Sequence, residues 1–328
     1  MSFSALRDRL PTLPVASDAG EPWPRIGRGG HSFSDDIALP GGRRLGVRVR
    51  LTDRDGGGYC IDLRDSDEPG TDCPLGLGPA RALDACLLAL GTALHREPTT
   101  AWRDRIELLT DPSTWVGGAD ASDPAAIALG MARTFDAALG ALANAWPGKV
   151  GAGSCSVGAM VQLSDGNGVV LTEVLPGGEG GTPKGPGRSA WAGPIVASPW
   201  DPPPTVEGVS IDGEPRTGSG GTGKHDGGHG IIRRYRTKRS LVARLVFDRV
   251  INPPHGIDRA GPPQGTLVHI EPSDLTGRQR VEPWVDVPLP AGSTLVVQTC
   301  GGAGWGFPGY GEIEWDPSEW FGGKQDDS

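Results

Sequence analysis

Positive charge is the first thing that this sequence has little of. Its 328 residues include 31 Lys and Arg against 40 Asp and Glu, so the formal net charge is −9. A protein that binds nucleic acid irrespective of sequence needs a basic surface that neutralises phosphates, and this composition argues against that function. A basic run at residues 233–239 alternates with apolar residues, which predicts charges on the solvent side of a β-strand.

Long apolar segments are also missing from the sequence. No apolar run approaches the roughly 20 residues that a membrane helix needs, and residues 1–14 lack the apolar core of a secretory signal. We therefore expect a cytoplasmic protein without a membrane partner.

Cysteine is scarce and follows no metal or disulfide pattern. The five cysteines are an odd number without CxxC spacing, which predicts neither a disulfide framework nor a zinc site. Cys300 follows an apolar run and precedes two glycines, where a thiol could act as a nucleophile. Because no histidine lies near it in the sequence, a buried structural role is favoured.

Nucleotide-binding motifs are absent as well. The chain contains neither a GxxxxGK[ST] loop nor a GxGxxG motif directly after a strand-like run. The sequence therefore gives no support to nucleotide binding by this chain.

Glycine and proline, in contrast, are in excess. The chain has 53 Gly and 31 Pro, well above the usual shares of about 7% and 5%. They follow no collagen-like period and apolar residues recur between them, which predicts long ordered loops rather than disorder. Loops of this composition can close tightly around a small ligand.

The hydrophobic pattern predicts an α+β fold that is rich in β-strands. Residues 43–52 alternate apolar and polar side chains, as a strand does. Two segments, about 78–95 and 124–146, carry apolar residues with helical character, and Asp123 before a proline is typical of a helix start. Many strand-like runs follow, so we expect two main helices packed on mixed or antiparallel sheets with long Gly/Pro-rich loops.

The composition divides the chain into three regions. Residues 1–27 are rich in Pro, Asp and Ser and predict an N-terminal tail. Residues 28–200 hold the predicted strands and both helices, and residues 201–323 form a β-rich region that ends in a glycine-rich motif.

Three glycine-rich segments occur in an order that suggests a family. They are residues 173–190 (EVLPGGEGGTPKGPGRSA), 206–236 (VEGVSIDGEPRTGSGGTGKHDGGHGIIRRYR) and 296–309 (VVQTCGGAGWGFPG). Each segment alone is a weak signal, but their shared order over residues 35–309 resembles the hydantoinase B/oxoprolinase family. The resemblance covers only the C-terminal half of family members, and it implies an enzyme that acts on a cyclic amide or imide ring.

The chain also departs from the family pattern. Asp226 stands where relatives carry the arginine of an RGG sequence, and Phe307 stands where they carry an aspartate. The N-terminal half of relatives carries a Gly-Gly-Thr-His-x-x-Asp type motif that contributes to a metal site in acetone carboxylases. Residues 29–35, GGHSFSD, echo that motif through His31 and Asp35 at a different spacing and without the threonine. The alternative is a loop that enters the first strand.

Glu173 is the predicted general base. It ends an apolar strand directly before a glycine loop, where partial desolvation makes a carboxylate a better base. Backbone N–H groups of that loop, around Gly177 and Gly178, could bind the substrate and hold a developing oxyanion. The structural alternative is a Glu173 paired with loop amides or with Arg188.

Other charged residues of the same loop are candidates for binding or proton transfer. Glu179, Lys184 and Arg188 could supply the acid partner or bind a substrate carboxylate. Trp305, in the glycine-rich motif near the C-terminus, could pack over a turn or stack on a ligand.

A second candidate group lies in the segment KHDGGHG. His225 and His229 are four residues apart, which would suit a metal ion on a helix. The glycines between them disfavour a helix, so we expect either a polar or catalytic loop that includes Asp226 or an ordinary turn.

These observations predict a shortened hydantoinase B-like enzyme. Its reaction would be either hydrolytic ring opening or a repurposed, metal-independent cyclase or lyase step in specialised metabolism. The alternative is a non-catalytic subunit that completes a split hydantoinase B-type complex. No cofactor is predicted. The expected partners are a small-molecule substrate and, as the resemblance implies, a hydantoinase A-type subunit or a chain with the missing N-terminal half; a homo-oligomer is a further alternative.

Overall fold

A computed structural model describes most of the chain. The described residues are 3–15, 22–27, 29–55, 57–191, 193–195, 203–272 and 277–308. Trp305 and Phe307 of the C-terminal glycine-rich motif are among the described residues.

The first sheet has four strands in the order β1-β2-β3-β4. They are β1 (His31–Ala38), β2 (Arg44–Asp53), β3 (Tyr59–Asp62) and β4 (Ile106–Leu109). The first three strands pair antiparallel, and β4 runs parallel to β3. Along β2 the aliphatic residues are buried and the arginines are exposed, so one face of the sheet contacts the core and the other faces outward.

The two predicted α-helices are present as α1 (Pro79–Leu94) and α2 (Pro124–Ala145). Helix α2 packs on the inner face of this sheet, and α1 packs against α2. The Asp123 side chain accepts the N–H of Ala125 at 3.0 Å and caps α2. Short 3-10 helices occur at Ser4–Arg9, Pro40–Gly42 and Thr100–Arg105.

Helix α2 corrects one expectation from the sequence. It is long and apolar enough to cross a membrane, yet it is buried inside the protein, against α1, β1 and β2. Small residues allow this packing: a Cβ on Gly140 would lie 2.5 Å from the ring of Phe33, and one on Gly130 would lie 3.2 Å from Trp115. Its apolar composition is therefore that of a core helix.

The rest of the chain forms two antiparallel sheets. Their strands are β5 (Ala159–Asp165), β6 (Gly168–Leu175), β7 (Val209–Pro215), β8 (Ile231–Thr237), β9 (Leu241–Phe247), β10 (Leu267–Glu271), β11 (Gln279–Arg280), β12 (Val285–Leu289) and β13 (Thr294–Gln298). One sheet has the order β12-β9-β5-β6 and the other β11-β10-β13-β8-β7. Buried residues of both, such as Leu245 and Leu295, share one hydrophobic cluster, so the sheets pack face to face. With the helices, this confirms the predicted α+β, β-rich fold.

The basic run at residues 233–239 lies mainly in β8 and is only partly exposed. Arg234 and Arg236 point toward solvent as predicted, whereas Arg233 is fully buried. The expectation of a purely solvent-facing charged strand was therefore wrong, because Arg233 shares the inner face with Tyr235.

The predicted division at residue 200 stays a prediction. Strands β5 and β9, from either side of that boundary, pair with each other from Ala159 and Phe247 onward. In the predicted N-terminal tail, Phe3, Leu6 and Trp23 are buried in the core cluster of the helical layer.

Glycine-rich segments form a tightly packed layer beside the sheets, which we call the glycine layer. It consists of residues 151–156, 177–188, 219–230 and 301–306. The N–H of Gly178 donates to Cys300 O at 3.0 Å, and that of Gly181 donates to Ala303 O at 2.8 Å. This spacing of three residues is that of a polyproline II helix.

Close approach of chains explains the glycine content of the C-terminal motif. A Cβ on Gly302 would overlap the carbonyl oxygen of Glu179, and one on Gly227 would overlap that of Gly302. Within residues 301–306 only Gly306, at φ 74°, has a left-handed backbone. The glycines are thus needed mainly for contact between backbones.

Candidate functional site

A cavity of about 430 Å³ lies between the two helices and the glycine layer, and we call it cavity A. Leu88 of α1 and Phe135 and Leu139 of α2 form its apolar side. The glycine layer forms the opposite side through Gly151 and Gly180. The volume and the mainly apolar wall are typical of a site for a small organic ligand.

An ion pair between Glu179 and Arg188 borders cavity A. The Arg188 Nε and Nη2 atoms donate to the two carboxylate oxygens of Glu179 at 2.6 and 2.9 Å. The backbone N–H of Arg188 also donates to Glu179, at 3.1 Å. Hydrogen bonding to Glu179 raises the pKa of Arg188. The Glu179 side chain is 20% exposed and that of Arg188 is 68% exposed, so the arginine lies on the solvent side of the pair.

Further polar groups line the same cavity. The hydroxyl of Ser154 accepts the N–H of Gly180 at 2.9 Å, and Lys149 and Trp191 also contribute to the lining. The guanidinium of Arg188 lies 5.6 Å from the Trp191 ring centroid. Lys184, a candidate binding residue from the sequence, is exposed and does not line cavity A.

Glu173 lies inside the sandwich rather than in cavity A. Its carboxylate accepts hydrogen bonds from Arg233 Nη2 at 2.5 Å and from the Tyr235 hydroxyl at 2.6 Å. Burial, and next the nearby Glu173 charge, raise the pKa of Tyr235 well above its ordinary value. Glu173 is only 5% exposed, and this arrangement matches the structural alternative in kind, with Arg233 as the partner instead of Arg188. A catalytic role for Glu173 stays a prediction.

The glycine loop after Glu173 uses its backbone donors within the fold. Gly178 N–H donates to Cys300 O, Gly180 N–H to Ser154 Oγ and Gly181 N–H to Ala303 O. Gly177 pairs with Trp191 in a short β-bridge. An oxyanion would have to compete with these bonds, so the substrate-binding role of Gly177 and Gly178 remains untested.

The KHDGGHG segment forms part of the glycine layer and does not line cavity A. The His225 ring stacks on Trp305 at 5.9 Å. The Asp226 carboxylate accepts the N–H of Gly223 at 2.9 Å, as in a turn. His229 Nδ1 accepts the N–H of Gly220 at 3.3 Å. These contacts favour the turn alternative, while the catalytic roles of His225, Asp226 and His229 stay predictions.

Trp305 fixes the end of the glycine layer. Its indole N–H donates to Val150 O at 2.9 Å, and its backbone pairs with His225. Trp305 is not among the residues that line cavity A, which favours the packing role over stacking on a ligand there.

Cys300 is fully buried beside Cys155. Hydrogen bonding to Cys300, followed by burial, raises the pKa of the Cys155 thiol well above its ordinary value. A thiol with a raised pKa is a poor nucleophile, which favours a structural role for Cys155, and the complete burial of Cys300 favours the same role there.

A buried ion cluster that was not predicted from the sequence lies between β1, α2 and the end of β9. Its members are Asp35, Arg133, Asp136, Asp248 and Arg249, whose side chains are at most 8% exposed. Arg133 donates to three carboxylates at 2.9–3.2 Å, and Arg249 donates to two. The cluster has three carboxylates and two guanidiniums, so it carries one excess negative charge when all are ionised.

Residues 29–35, which resemble a metal-binding motif in sequence, lie in this region but do not have the arrangement of a metal site. His31 and Asp35 both belong to β1, and residues four apart on a strand are separated by about 13 Å. Asp35 is instead held by Arg133 and Arg249. Within the described residues, no group of three or more His, Cys, Asp or Glu is arranged to bind a metal ion.

A second cavity, of about 450 Å³, lies at the β1 edge of the first sheet, and we call it cavity B. It is polar, and its lining includes Ser34, Asp36, Arg48, Asn252 and His255. The sequence signal for it was weak, since its members come from β1, β2 and a loop more than 200 residues later.

Comparisons with known proteins find solved structures with a similar fold. A search of solved structures finds acetone carboxylase in its nucleotide-free form, at 14% identity and a TM-score of 0.68. It also finds the ATP-dependent caprolactamase from Pseudomonas jessenii, at 16% identity and a TM-score of 0.68. Each alignment covers 85% of this chain but only 45% and 52% of the other chain, so this chain spans about half the length of these structures.

A family model also matches the sequence of the chain. No curated protein sequence matches the chain. The model of hydantoinase B/oxoprolinase matches residues 4–308, and the chain therefore belongs to the hydantoinase B/oxoprolinase family.

Proposed function

We propose that this chain is an enzyme that binds a cyclic amide, imide or related ring in cavity A. The observation that carries the proposal is the Glu179–Arg188 ion pair at the border of an apolar cavity of about 430 Å³. An apolar wall accommodates the ring carbons, and a carboxylate–guanidinium pair complements the ring N–H and C=O. Family membership supports a hydantoinase-like enzyme.

In ring opening, water adds to the ring carbonyl carbon, the ring C–N bond breaks and the nitrogen takes a proton. Glu179 would accept the proton of the attacking water, and Arg188 would donate to the carbonyl oxygen as negative charge develops there. Arg188 now holds Glu179, so it must turn toward the ligand to free the carboxylate. Its exposure of 68% permits this movement.

The reverse direction uses the same groups. In ring closure an amine nitrogen attacks the carboxyl carbon and the C–OH bond breaks. Glu179 takes the proton from nitrogen and passes it to the departing hydroxyl, which leaves as water. Both reactions need a base beside a polarised carbonyl. Neither requires a cofactor, so we propose that the chain acts without one, in the cytoplasm.

A second candidate function is that of a subunit in a split complex. The supporting observation is that the chain spans about half of the acetone carboxylase and caprolactamase chains that it matches. A second chain would then supply the remaining half, and a hydantoinase A-type subunit would supply ATP chemistry, which the caprolactamase structure is named for. Self-association into a homo-oligomer is compatible with either function.

One experiment separates the two functions. The purified chain is incubated alone with hydantoin, 5-oxoproline, glutarimide and ε-caprolactam, and with the corresponding ring-opened acids, and mass spectrometry follows ring opening and closure. Turnover by the chain alone supports the enzyme. Turnover that appears only when a partner chain and ATP are added would reject independent catalysis and support the subunit.

A further inference from the structure

Cavity B differs from cavity A in place and in chemistry. It lies at the β1 edge of the first sheet, where Ser34 of β1 is opposite Arg48 of β2. Asp36 lies opposite Gly46 in the strand register. Arg48, two residues further along β2, is therefore its diagonal neighbour, roughly 7–8 Å away.

Asp36 retains an open acceptor in this cavity. Its Oδ2 accepts from Asn252 Nδ2 at 2.5 Å and from Arg44 Nη2 at 3.3 Å. Its Oδ1 has no hydrogen bond to any residue that the structure describes, and the side chain is 24% exposed. The carboxylate thus has one oxygen held by the protein and one without a partner among the described residues.

Arg48 retains open donors on the same face. Its Nη1 donates to Asp65 O at 2.7 Å and to Asp67 Oδ1 at 2.6 Å. Across the described part of the chain, its Nε and Nη2 have no acceptor, and the side chain is 50% exposed. These two nitrogens form the fork that binds a carboxylate in a bidentate manner.

His255 adds a neutral acceptor to the wall. Its ring lies 4.3 Å from the ring of Phe33, and its nitrogens make no hydrogen bond within the described residues. Burial lowers the pKa of His255, so the imidazole is neutral at neutral pH and can accept from an N–H donor.

The buried ion cluster borders the cavity through Asp35 and Arg249. Asp35 belongs to that cluster and is next to Asp36 in β1.

We propose that cavity B binds a small zwitterion of the ω-amino acid class. Its ammonium group donates to Asp36 Oδ1, the Ser34 hydroxyl and His255, which supplies the three acceptors that an ammonium group needs. Its carboxylate accepts from Arg48 Nε and Nη2. The site is separate from cavity A, and ligand binding in cavity B does not depend on the reaction proposed for cavity A.

The test uses 6-aminohexanoate as the probe and isothermal titration calorimetry on the full chain. Hexanoate lacks the ammonium group and pentylamine lacks the carboxylate, so they serve as matched ligands. We expect saturable binding of 6-aminohexanoate and a loss of about tenfold to a hundredfold in affinity in Asp36→Asn and in Arg48→Gln, as for hydrogen bonds between charged groups.

Arg50→Gln is the matched control variant. Arg50 lies two residues along the same exposed face of β2 and does not line cavity B, so its replacement should leave the affinity within about twofold. The proposal is overturned if 6-aminohexanoate shows no saturable binding, if hexanoate and pentylamine bind equally well, or if Arg50→Gln weakens binding as much as Arg48→Gln does. Arg48→Gln alters an exposed side chain, so it remains informative even if Asp36→Asn fails to fold.

Discussion

Arg133 and Asp248 form a buried ion pair in which Arg133 Nη2 donates to Asp248 Oδ2 at 2.9 Å. Each side chain is 2% exposed. Arg133 belongs to α2 and Asp248 directly follows β9, so the pair joins the helical layer to the sandwich. The Asp248 carboxylate also accepts the N–H of Ala38 at 3.1 Å, which links the pair to the end of β1.

This cluster predicts an unusual dependence of stability on pH. Burial raises the pKa of Asp248 from 3.8 to about 6, and burial also raises the pKa values of Asp35 and Asp136. The native state then binds more protons than the unfolded chain between about pH 4 and 6. The free energy of unfolding should therefore fall as pH rises through this window, by up to about 3 kcal/mol for Asp248 alone.

Urea denaturation at pH 4 to 7 measures this slope. Carboxylates whose pKa is lowered, such as Asp62 and Asp212, contribute mainly below pH 4 and do not mask it. Asp248→Asn should flatten the slope in the same window. Stability that rises from pH 4 to 6, or a slope unchanged in Asp248→Asn, would contradict the assignment.

Replacement of Glu173 should first destabilise the protein. Glu173→Gln removes the negative charge that faces the buried Arg233, at a cost of about 3–5 kcal/mol. Tyr235→Phe removes one hydrogen bond to the same carboxylate and should cost about 1–2 kcal/mol. Chemical denaturation of both variants tests the order of the two losses.

The same pair of variants addresses the predicted catalytic role of Glu173. If Glu173 is the general base, turnover by folded Glu173→Gln falls far more than turnover by Tyr235→Phe. If its role is only structural, both variants retain turnover under conditions in which they remain folded.

The glycine layer should be intolerant of any side chain at its contacts. Gly302→Ala places a methyl group on the carbonyl of Glu179, and we expect a loss of at least about 3 kcal/mol or a failure to fold. Gly166→Ala is the control, since a Cβ there meets nothing within 4 Å. Thermal melts that show equal stability for the two variants would contradict the packing role of the layer.

The sequence predicted the elements whose signals are local. The two helices could be placed within a few residues because Asp123 and the apolar spacing act over one or two turns. The burial of Arg233 could not be predicted in this way, because a buried arginine requires a partner such as Glu173 from a strand 60 residues away. Cavity B could not be predicted either, because residues that line it, such as Asp36 and Asn252, are 216 residues apart in the sequence.

The candidate catalytic residues divide in the same way. Glu179 and Arg188 were named from one loop, and their pairing across nine residues is local. Cavity A itself depends on how α1 and α2 pack against the glycine layer, which no local pattern specifies. The roles suggested for His225 and His229 rested on spacing alone, and the structure uses both residues within the layer.

The most direct test of the account compares turnover by three variants of the purified protein on the ring substrate that it converts. Glu179→Gln and Arg188→Gln alter the cavity A pair, and Glu214→Gln alters an ion-paired, exposed glutamate on β7 as the control. We predict a fall in kcat/KM of about a hundredfold or more for the first two, as for loss of a general base or an oxyanion donor, and wild-type turnover for Glu214→Gln. Wild-type turnover by folded Glu179→Gln would contradict the assignment of cavity A as the active site.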